Sequence, residues 1–237
     1  MNLDLSYPGN FDELVFVVIE SDYKIDTLSY DSNASLDYDL PNGEYKIIVF
    51  SDNLFPEIIE LDMSQDTLIQ LNMKWKAVEK LFTFDTDNQW DYNGLIDISN
   101  GAASSQSGFF YSHLIDNTMS SIHHFDEGDY VISIDLKYEL EWDFDMLTLF
   151  SSCYSCDNDI LEVFSGHHWN EFNKLIPFQV LDNNTKALNL NISTDSDLHY
   201  RGFEINNINI LYKPEYECVV GDVSLDGYIN VVDIIEI

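Results

Sequence analysis

Short apolar or alternating segments, separated by turn-forming residues, recur along almost the whole chain. In residues 1–73 they follow one another about every 10 to 15 residues, a spacing typical of strands in a small antiparallel sandwich. Residues 14–19 form a continuous apolar run of strand length, and a second run, residues 45–50, follows the turn-forming sequence Pro41-Asn42-Gly43. No convincing amphipathic helix intervenes. Residues 1–73 are therefore predicted to form a small β-sandwich.

Residues 81–213 are also rich in strand-type segments, and two of these, residues 188–192 and 203–210, alternate apolar with polar side chains. A sheet with one face in water produces this two-residue period. Its persistence over about 130 residues predicts a two-sheet jelly roll. Between the two regions, residues 74–80 contain three lysines. They indicate either a linker between domains or a sheet edge protected by lysines.

The charge of the chain restricts its partners. Asp and Glu number 43 against 10 Lys and Arg, for a net charge of −33. Such a chain is repelled by phosphate backbones and anionic lipids, so neither nucleic acid nor a membrane surface is expected as a partner. No apolar stretch of about 18 residues is present, so no membrane insertion is expected. Divalent cations or a basic partner fit this charge better.

Residues 222–233 have the spacing of a calcium loop. Ca²⁺ takes about six to eight oxygen ligands, and a loop of this kind supplies them at fixed positions around a glycine that permits a sharp turn. Here that glycine is Gly227, with acidic or hydroxyl side chains at the first, third and fifth positions. The predicted ligands are Asp222, Ser224, Asp226, the carbonyl oxygen of Tyr228, Asn230 and Asp233. Calcium is therefore the expected cofactor.

Residues 221–234, GDVSLDGYINVVDI, closely resemble the first half of a type I dockerin repeat. Residues 218–237 are accordingly expected to form a truncated EF-hand-like loop and helix. The resemblance implies a second repeat, an attachment partner such as a cohesin or a cell surface, and an extracellular location. It also implies that the chain is a piece of a longer exported protein. Two departures concern affinity and partner choice: Ser224 replaces the usual Asn, and Val231-Val232 occupy the pair that often contacts cohesin.

Two further resemblances concern the sandwiches. Four segments resemble the MAM-like jelly-roll modules of secreted metallopeptidases. They are residues 82–85 with Trp90, residues 136–145, residues 161–166 with Trp169, and residues 202–208. Such modules lie downstream of the catalytic domain in immune-inhibitor-A-type enzymes and some zinc carboxypeptidases. Residues 43–51 resemble the carboxypeptidase-regulatory-like sandwich. Together they imply a non-catalytic accessory segment of a secreted bacterial peptidase.

An acidic run supports an alternative function. Residues 137–145 alternate charged with apolar side chains, and the charged ones are acidic from Glu139 onward; a continuous strand places the two sets on opposite faces. The acidic set is Glu139, Glu141, Asp143 and Asp145, and the set expected to face the core is Tyr138, Leu140, Trp142 and Phe144. The acidic face is a solvated surface, a metal site shared with Asp85, Asp87 and Asp91, or a glycosidase acid pair. The last possibility makes the chain a catalytic jelly-roll hydrolase or lyase that acts through Glu141 and Asp143 and carries a dockerin.

The remaining candidate residues leave alternatives open. Adjacent histidines at 123–124 and 167–168 point to opposite faces of a strand, so neither pair is expected to hold a metal. Cys153 and Cys156 form a local disulfide or remain free thiols, and Cys218 has no evident partner. Aromatic residues near turns either stack on a sugar or belong to the core and its rim. They are Trp90, Tyr92 and Trp169, and they suggest a carbohydrate or protein ligand for the jelly roll.

Overall fold

The structure is a computed structural model that describes residues 1–7, 14–21, 24–31, 36–64, 67–85, 89–92, 96–99, 101–105, 116–154, 156–181, 185–196 and 200–213. All the regular elements named below are β-strands, so the predicted all-β class is confirmed. The chain divides into two compact units. Residues Met1–Ala77 together with Tyr212 and Lys213 belong to the first, and Val78–Leu211 form the second. No described segment forms an apolar helix long enough to cross a lipid bilayer.

The first unit is built of seven described strands in two sheets. They are β1 (Asn2–Ser6), β2 (Leu14–Ser21), β3 (Lys24–Asp31), β4 (Leu36–Asp37), β5 (Gly43–Phe50), β6 (Glu57–Met63) and β7 (Leu68–Asn72). One sheet has the order β3-β2-β5-β6 and the other the order β4-β1-β7. The pairs are antiparallel except β1 with β7, which is parallel.

The core of the first unit follows from the alternation along β2. Val15, Val17 and Ile19 are buried at every second position, and they share one cluster with Leu3 of the other sheet. Burying apolar side chains between two sheets removes about 1.5–3 kcal/mol of unfavourable hydration for each large one. The same unit includes Lys213, whose Nζ lies 2.7 Å from a carboxylate oxygen of Glu57.

The second unit is built of eleven described strands, of which the first begins at Ala77. They are β8 (Ala77–Thr83), β9 (Trp90–Tyr92), β10 (Asp97–Ser99), β11 (Ala102–Ser104), β12 (Asp116–Phe125), β13 (Gly128–Glu139), β14 (Met146–Ser152), β15 (Asp159–Phe164), β16 (His167–Val180), β17 (Lys186–Ser193) and β18 (Gly202–Tyr212). One sheet has the order β10-β11-β18-β13-β16, with β8 also paired to β18, and the other has the order β15-β14-β17-β12-β9.

Aromatic side chains fill part of the core between these two sheets. The ring of Phe125 lies 5.5 Å from that of Phe178 and 6.4 Å from that of Phe82, both in edge-to-face geometry. Edge-to-face pairs bring the positive rim of one ring to the negative face of the other, which adds to the free energy of area burial. On β18, Ile205 and Ile208 are both buried although three positions separate them. The break in alternation at residues 206–207 therefore keeps both isoleucines in the core.

Part of the basic segment, residues 74–80, belongs to a strand. Residues 77–80 belong to β8, which pairs with β18. The division into two units falls between Ala77 and Val78, within the basic segment, and Lys80 lies on a strand of the second unit. The interpretation as a sheet edge protected by lysines agrees with this placement, because cationic side chains discourage pairing with another strand.

Candidate functional site

The predicted calcium ligands lie outside the described residues, which end at Lys213. This holds for Asp222, Ser224, Asp226, Tyr228, Asn230 and Asp233, and also for Cys218. Within the described ranges, no group of three or more His, Cys, Asp or Glu side chains is arranged to hold a metal ion. The carboxylates of Asp85, Asp91 and the acidic run thus form no such group with each other, and Asp87 lies outside the description.

The acidic run is not one continuous strand, and this corrects the prediction for residues 140–145. Strand β13 ends at Glu139, and β14 begins only at Met146. Trp142 and Phe144, expected in the core, are 67% and 61% exposed, whereas Asp145, expected in solvent, is completely buried. The expected acidic face therefore does not exist, and the glycosidase pair loses its structural basis.

A tight turn is the physical reason for this reversal. The amide N–H groups of Phe144 and Asp145 both donate to the carbonyl oxygen of Glu141, at 3.4 and 3.1 Å. Asp143 has a φ of 65°, in the left-handed region, which Asp tolerates better than most residues. These features reverse the chain within residues 141–145, a segment that we call the aromatic loop.

The buried carboxylate of Asp145 anchors the aromatic loop. Its Oδ2 accepts a hydrogen bond from the amide of Glu141 at 3.3 Å, and its Oδ1 accepts one from the amide of Asp195 at 3.0 Å. Hydrogen bonds to an ionised acceptor contribute about 1.5–3 kcal/mol each, more than neutral ones. Asp145 thus connects the loop to the segment that follows β17.

A second set of contacts joins the aromatic loop to the turn at residues 165–166. The hydroxyl of Ser165 accepts a hydrogen bond from the amide of Asp143 at 3.0 Å and donates to the carbonyl of Glu141 at 3.1 Å. Gly166 has a φ of 83°, and a Cβ added there would lie 2.5 Å from a ring carbon of Trp142. The indole ring therefore rests directly on the glycine backbone, and no other residue type leaves room for it.

The result is a pair of exposed aromatic rings on a loop held at several points. Exposed large aromatic side chains on a surface are typical of a binding site, particularly when their backbone is fixed before the ligand arrives. Glu141 and Asp143 also belong to this loop. The loop can thus stack on an apolar surface of a ligand and accept hydrogen bonds from the ligand's hydroxyl or ammonium groups.

The aromatic residues singled out from the sequence have other roles. Trp90 is 3% exposed and packs against Phe82 and Phe84 in the core, and Tyr92 is half-buried against the same core. Trp169 is half-buried, with the side-chain cations of Lys137 and Arg201 lying 5.5 and 5.2 Å from its ring centre. Such cations are attracted to the ring face and occupy space that a sugar needs.

The histidine pairs lie on strands and hold no metal cluster among the described residues. His123 and His124 belong to β12, in agreement with the strand expected for this pair. His123 packs against Phe125, with ring centres 4.7 Å apart, and burial lowers its pKa, assisted by the nearby positive charge of Lys80. His167 lies 3.5 Å from Glu139, and the ring of His168 packs against Phe172.

A disulfide joins Cys153 to Cys156 in the connection between β14 and β15. This confirms the local pairing among the alternatives that the sequence left open. The bond closes a loop of only a few residues, so it restrains that connection locally rather than the whole unit.

No protein-family model and no curated protein matches the chain. Among solved structures, it is similar to part of a family GH115 4-O-methyl-α-glucuronidase with specificity for decorated arabinogalactans, at 11% identity and a TM-score of 0.36 over 65% of this chain. The chain spans 19% of that protein. It is also similar to a family 29 carbohydrate-binding module (10% identity, TM-score 0.35, 56% of this chain and 91% of that chain). It is similar as well to a family 61 carbohydrate-binding module in complex with β-1,4-galactotriose (10% identity, TM-score 0.33, 57% of this chain and 88% of that chain). We draw no conclusion on function from these likenesses.

Proposed function

We propose that this chain is a non-catalytic binding segment of a secreted bacterial enzyme and that its aromatic loop binds a neutral carbohydrate chain. One observation carries the proposal: Trp142 and Phe144 are largely exposed on a loop that the buried Asp145 anchors. A sugar ring has an apolar face that stacks on an aromatic ring, and its hydroxyl groups donate to nearby carboxylates. Because the loop is held before binding, little conformational entropy is lost when the ligand arrives.

The charge of the loop favours a neutral carbohydrate over an anionic one. Glu141 and Asp143 belong to the same loop as the two rings, and the whole chain carries a net charge of −33. An acidic polysaccharide is repelled both at the loop and at long range. Neutral glucans, galactans, xylans and mannans are therefore the class that the loop fits.

Replacing Trp142 by alanine is expected to weaken binding of the best neutral polysaccharide by about thirtyfold. That factor corresponds to about 2 kcal/mol, the typical cost of removing a dominant tryptophan from an interface. The side chain is 67% exposed, so the free energy of unfolding should change by less than about 0.5 kcal/mol. Binding is measured by affinity electrophoresis in gels containing β-glucan, galactan, xylan or mannan, and by calorimetry with the matching oligosaccharide.

The matched control is Tyr154→Ala, which removes a fully exposed ring from the connection between β14 and β15. The aromatic loop lies before the start of β14, whereas this connection follows the end of β14. Binding should therefore be unchanged. Equal retention of the Trp142→Ala variant and the native chain on the polysaccharide would contradict the site. Failure of the native chain to bind any of the four polysaccharides would contradict the ligand class.

The catalytic alternative is tested with the same four polysaccharides and with peptides. The expected acid pair, Glu141 and Asp143, lies in a turn and not on the face of a strand. No release of reducing ends or peptide fragments is expected from the chain. Turnover that disappears in Glu141→Gln would overturn the non-catalytic proposal.

The attachment function rests on the sequence of residues 218–237 and on its resemblance to a dockerin repeat. In this proposal Ca²⁺ neutralises the clustered carboxylates of residues 222–233, and the complete repeat binds a cohesin-like or cell-surface partner. The proposal that the enzyme is a peptidase rests in the same way on the resemblance of the two sandwiches.

Calcium is expected to bind the chain at one site with measurable heat, and EDTA should reverse the binding. Asp226→Ala removes a central carboxylate ligand and should abolish the heat, whereas Asp52→Ala, an exposed carboxylate of the first unit, should leave it unchanged. Isothermal titration with CaCl₂ makes the measurement, with MgCl₂ as a second cation. Equal heats from the native chain and the Asp226→Ala variant would show that the loop is not the site.

A further inference from the structure

A separate cavity of about 500 Å³ lies in the first unit, beside strand β5 and the segment that precedes it. Two of its lining residues are tyrosines, and each is held by a hydrogen bond from its hydroxyl. Tyr45 donates to the carbonyl oxygen of Pro41 at 3.0 Å, and Tyr38 donates to Oδ2 of Asp26 at 2.6 Å. Both rings also pack against the core of the unit, so their orientation is set before any ligand binds.

Two polar groups of the cavity are paired with each other. The ammonium group of Lys24 lies 2.7 Å from Oδ2 of Asp26, the same oxygen that accepts the bond from Tyr38. Both hydrogen bonds lower the pKa of Asp26, the one from Lys24 more than the one from Tyr38. The carboxylate of Asp26 in turn raises the pKa of Lys24. Both groups are therefore charged at neutral pH. A carboxylate and an ammonium group side by side supply acceptors and donors at one edge of the cavity.

The charges of the cavity exclude an anionic ligand. Its lining carboxylates, Asp26, Asp39 and Glu44, outnumber the single cation Lys24, while the ammonium group of Lys24 favours a ligand that also offers an acceptor oxygen, as a hydroxyl group does. Ligand cavities in proteins typically occupy about 300–1,000 Å³, so this one has room for a single sugar unit or a short chain end. Fixed aromatic walls with a few convergent polar groups are the usual composition of such sites.

We infer that this cavity is a second carbohydrate site, which binds one neutral sugar unit between Tyr38 and Tyr45 with its hydroxyl groups on Lys24 and Asp26. This inference does not depend on the aromatic loop of the second unit, because different residues of a different unit carry it. A chain with two sugar sites binds a polysaccharide more tightly than either site alone whenever both can be occupied at once.

The test is a nitrogen–proton correlation spectrum of the full chain, uniformly labelled with ¹⁵N, titrated with D-glucose, D-galactose, D-mannose or D-xylose. Concentrations up to about 100 mM detect millimolar affinity. At least one sugar should shift the amide resonances of residues 38–45 in a saturable way. Asp26→Ala should weaken that response by about tenfold, because a charged acceptor is lost. Asp62→Ala, which removes an exposed carboxylate of β6 that does not line this cavity, should leave it unchanged.

A second variant guards against an effect on folding. Tyr38→Phe keeps the ring against the core and removes only the hydroxyl that holds Asp26, so it should also weaken the response while the rest of the spectrum stays native. The inference is wrong if none of the four sugars shifts these resonances, or if Asp26→Ala leaves the affinity unchanged. It is also wrong if Nα-acetyl-lysine amide shifts them and the sugars do not. Shifts confined to residues 141–145 overturn it while supporting the aromatic loop.

Discussion

Replacing Asp145 by alanine should lower the free energy of unfolding of the second unit by about 3 kcal/mol. Asp145 is completely buried, and its two oxygens accept hydrogen bonds from the amides of Glu141 and Asp195. Alanine leaves both amide groups without this acceptor, at a cost of about 1–3 kcal/mol each, partly offset because a buried charge is removed. Urea denaturation followed by circular dichroism measures the change through the transition midpoint.

Two variants bracket this prediction. Asp145→Asn keeps the shape and one acceptor oxygen, so it should cost about half as much. Asp157→Ala removes an exposed carboxylate from the connection between β14 and β15 and should change stability by less than about 0.5 kcal/mol. The Asp145→Ala variant should also lose polysaccharide binding, because the two exposed rings are no longer held. A loss of stability below about 1 kcal/mol would show that Asp145 does not anchor the loop.

Replacing Gly166 by alanine is expected to cost about 2 kcal/mol of stability and to weaken polysaccharide binding as strongly as Trp142→Ala. A side chain at a φ of 83° costs about 1–2 kcal/mol. The added Cβ, 2.5 Å from a ring carbon of Trp142, also pushes the indole from its place. Stability is measured in urea, and binding by calorimetry with the oligosaccharide that the native chain prefers.

Gly101→Ala is a matched control for the cost of placing a side chain at a positive φ. Gly101 has a φ of 77°, and its added Cβ would lie 3.3 Å from a side-chain oxygen of Asp85 rather than against a ring. That variant should lose only the backbone part of the stability, which is less than Gly166→Ala loses, and keep full binding. In the double variant Gly166→Ala with Trp142→Ala, the steric part of the cost should disappear, which a double-mutant cycle measures directly. Strictly additive costs would contradict the packing of the indole on Gly166.

Strand-forming segments of this chain can be recognised from sequence because their signal is local. The apolar run at 14–19 lies in β2 (Leu14–Ser21), and the alternation at 203–210 lies in β18 (Gly202–Tyr212). A two-residue period places every second side chain on one face, and that property depends only on neighbouring residues. The all-β class and several strand positions therefore follow without knowledge of the fold. The parallel pairing of β1 with β7 cannot be predicted in this way, because it joins residues about 65 positions apart.

The aromatic loop shows why the candidate site could not be predicted. Residues 138–145 alternate apolar and acidic side chains throughout, so a strand and a strand followed by a turn look the same locally. Asp143 and Asp145 are residues that favour turns, but the alternation outweighed that signal. Trp90, chosen as a candidate for stacking, packs in the core.

Local periodicity thus established the β-class of the chain, and the spacing of acidic residues established its calcium hypothesis. Only the tertiary structure decided which aromatic rings face solvent. The buried carboxylate of Asp145 accepts a hydrogen bond from an amide 50 positions along the chain, and the indole of Trp142 rests on Gly166, which has no side chain to displace it. Such contacts between distant segments decide which side chains of a short stretch are buried, because a buried polar group needs hydrogen-bond partners that only the folded chain brings to it.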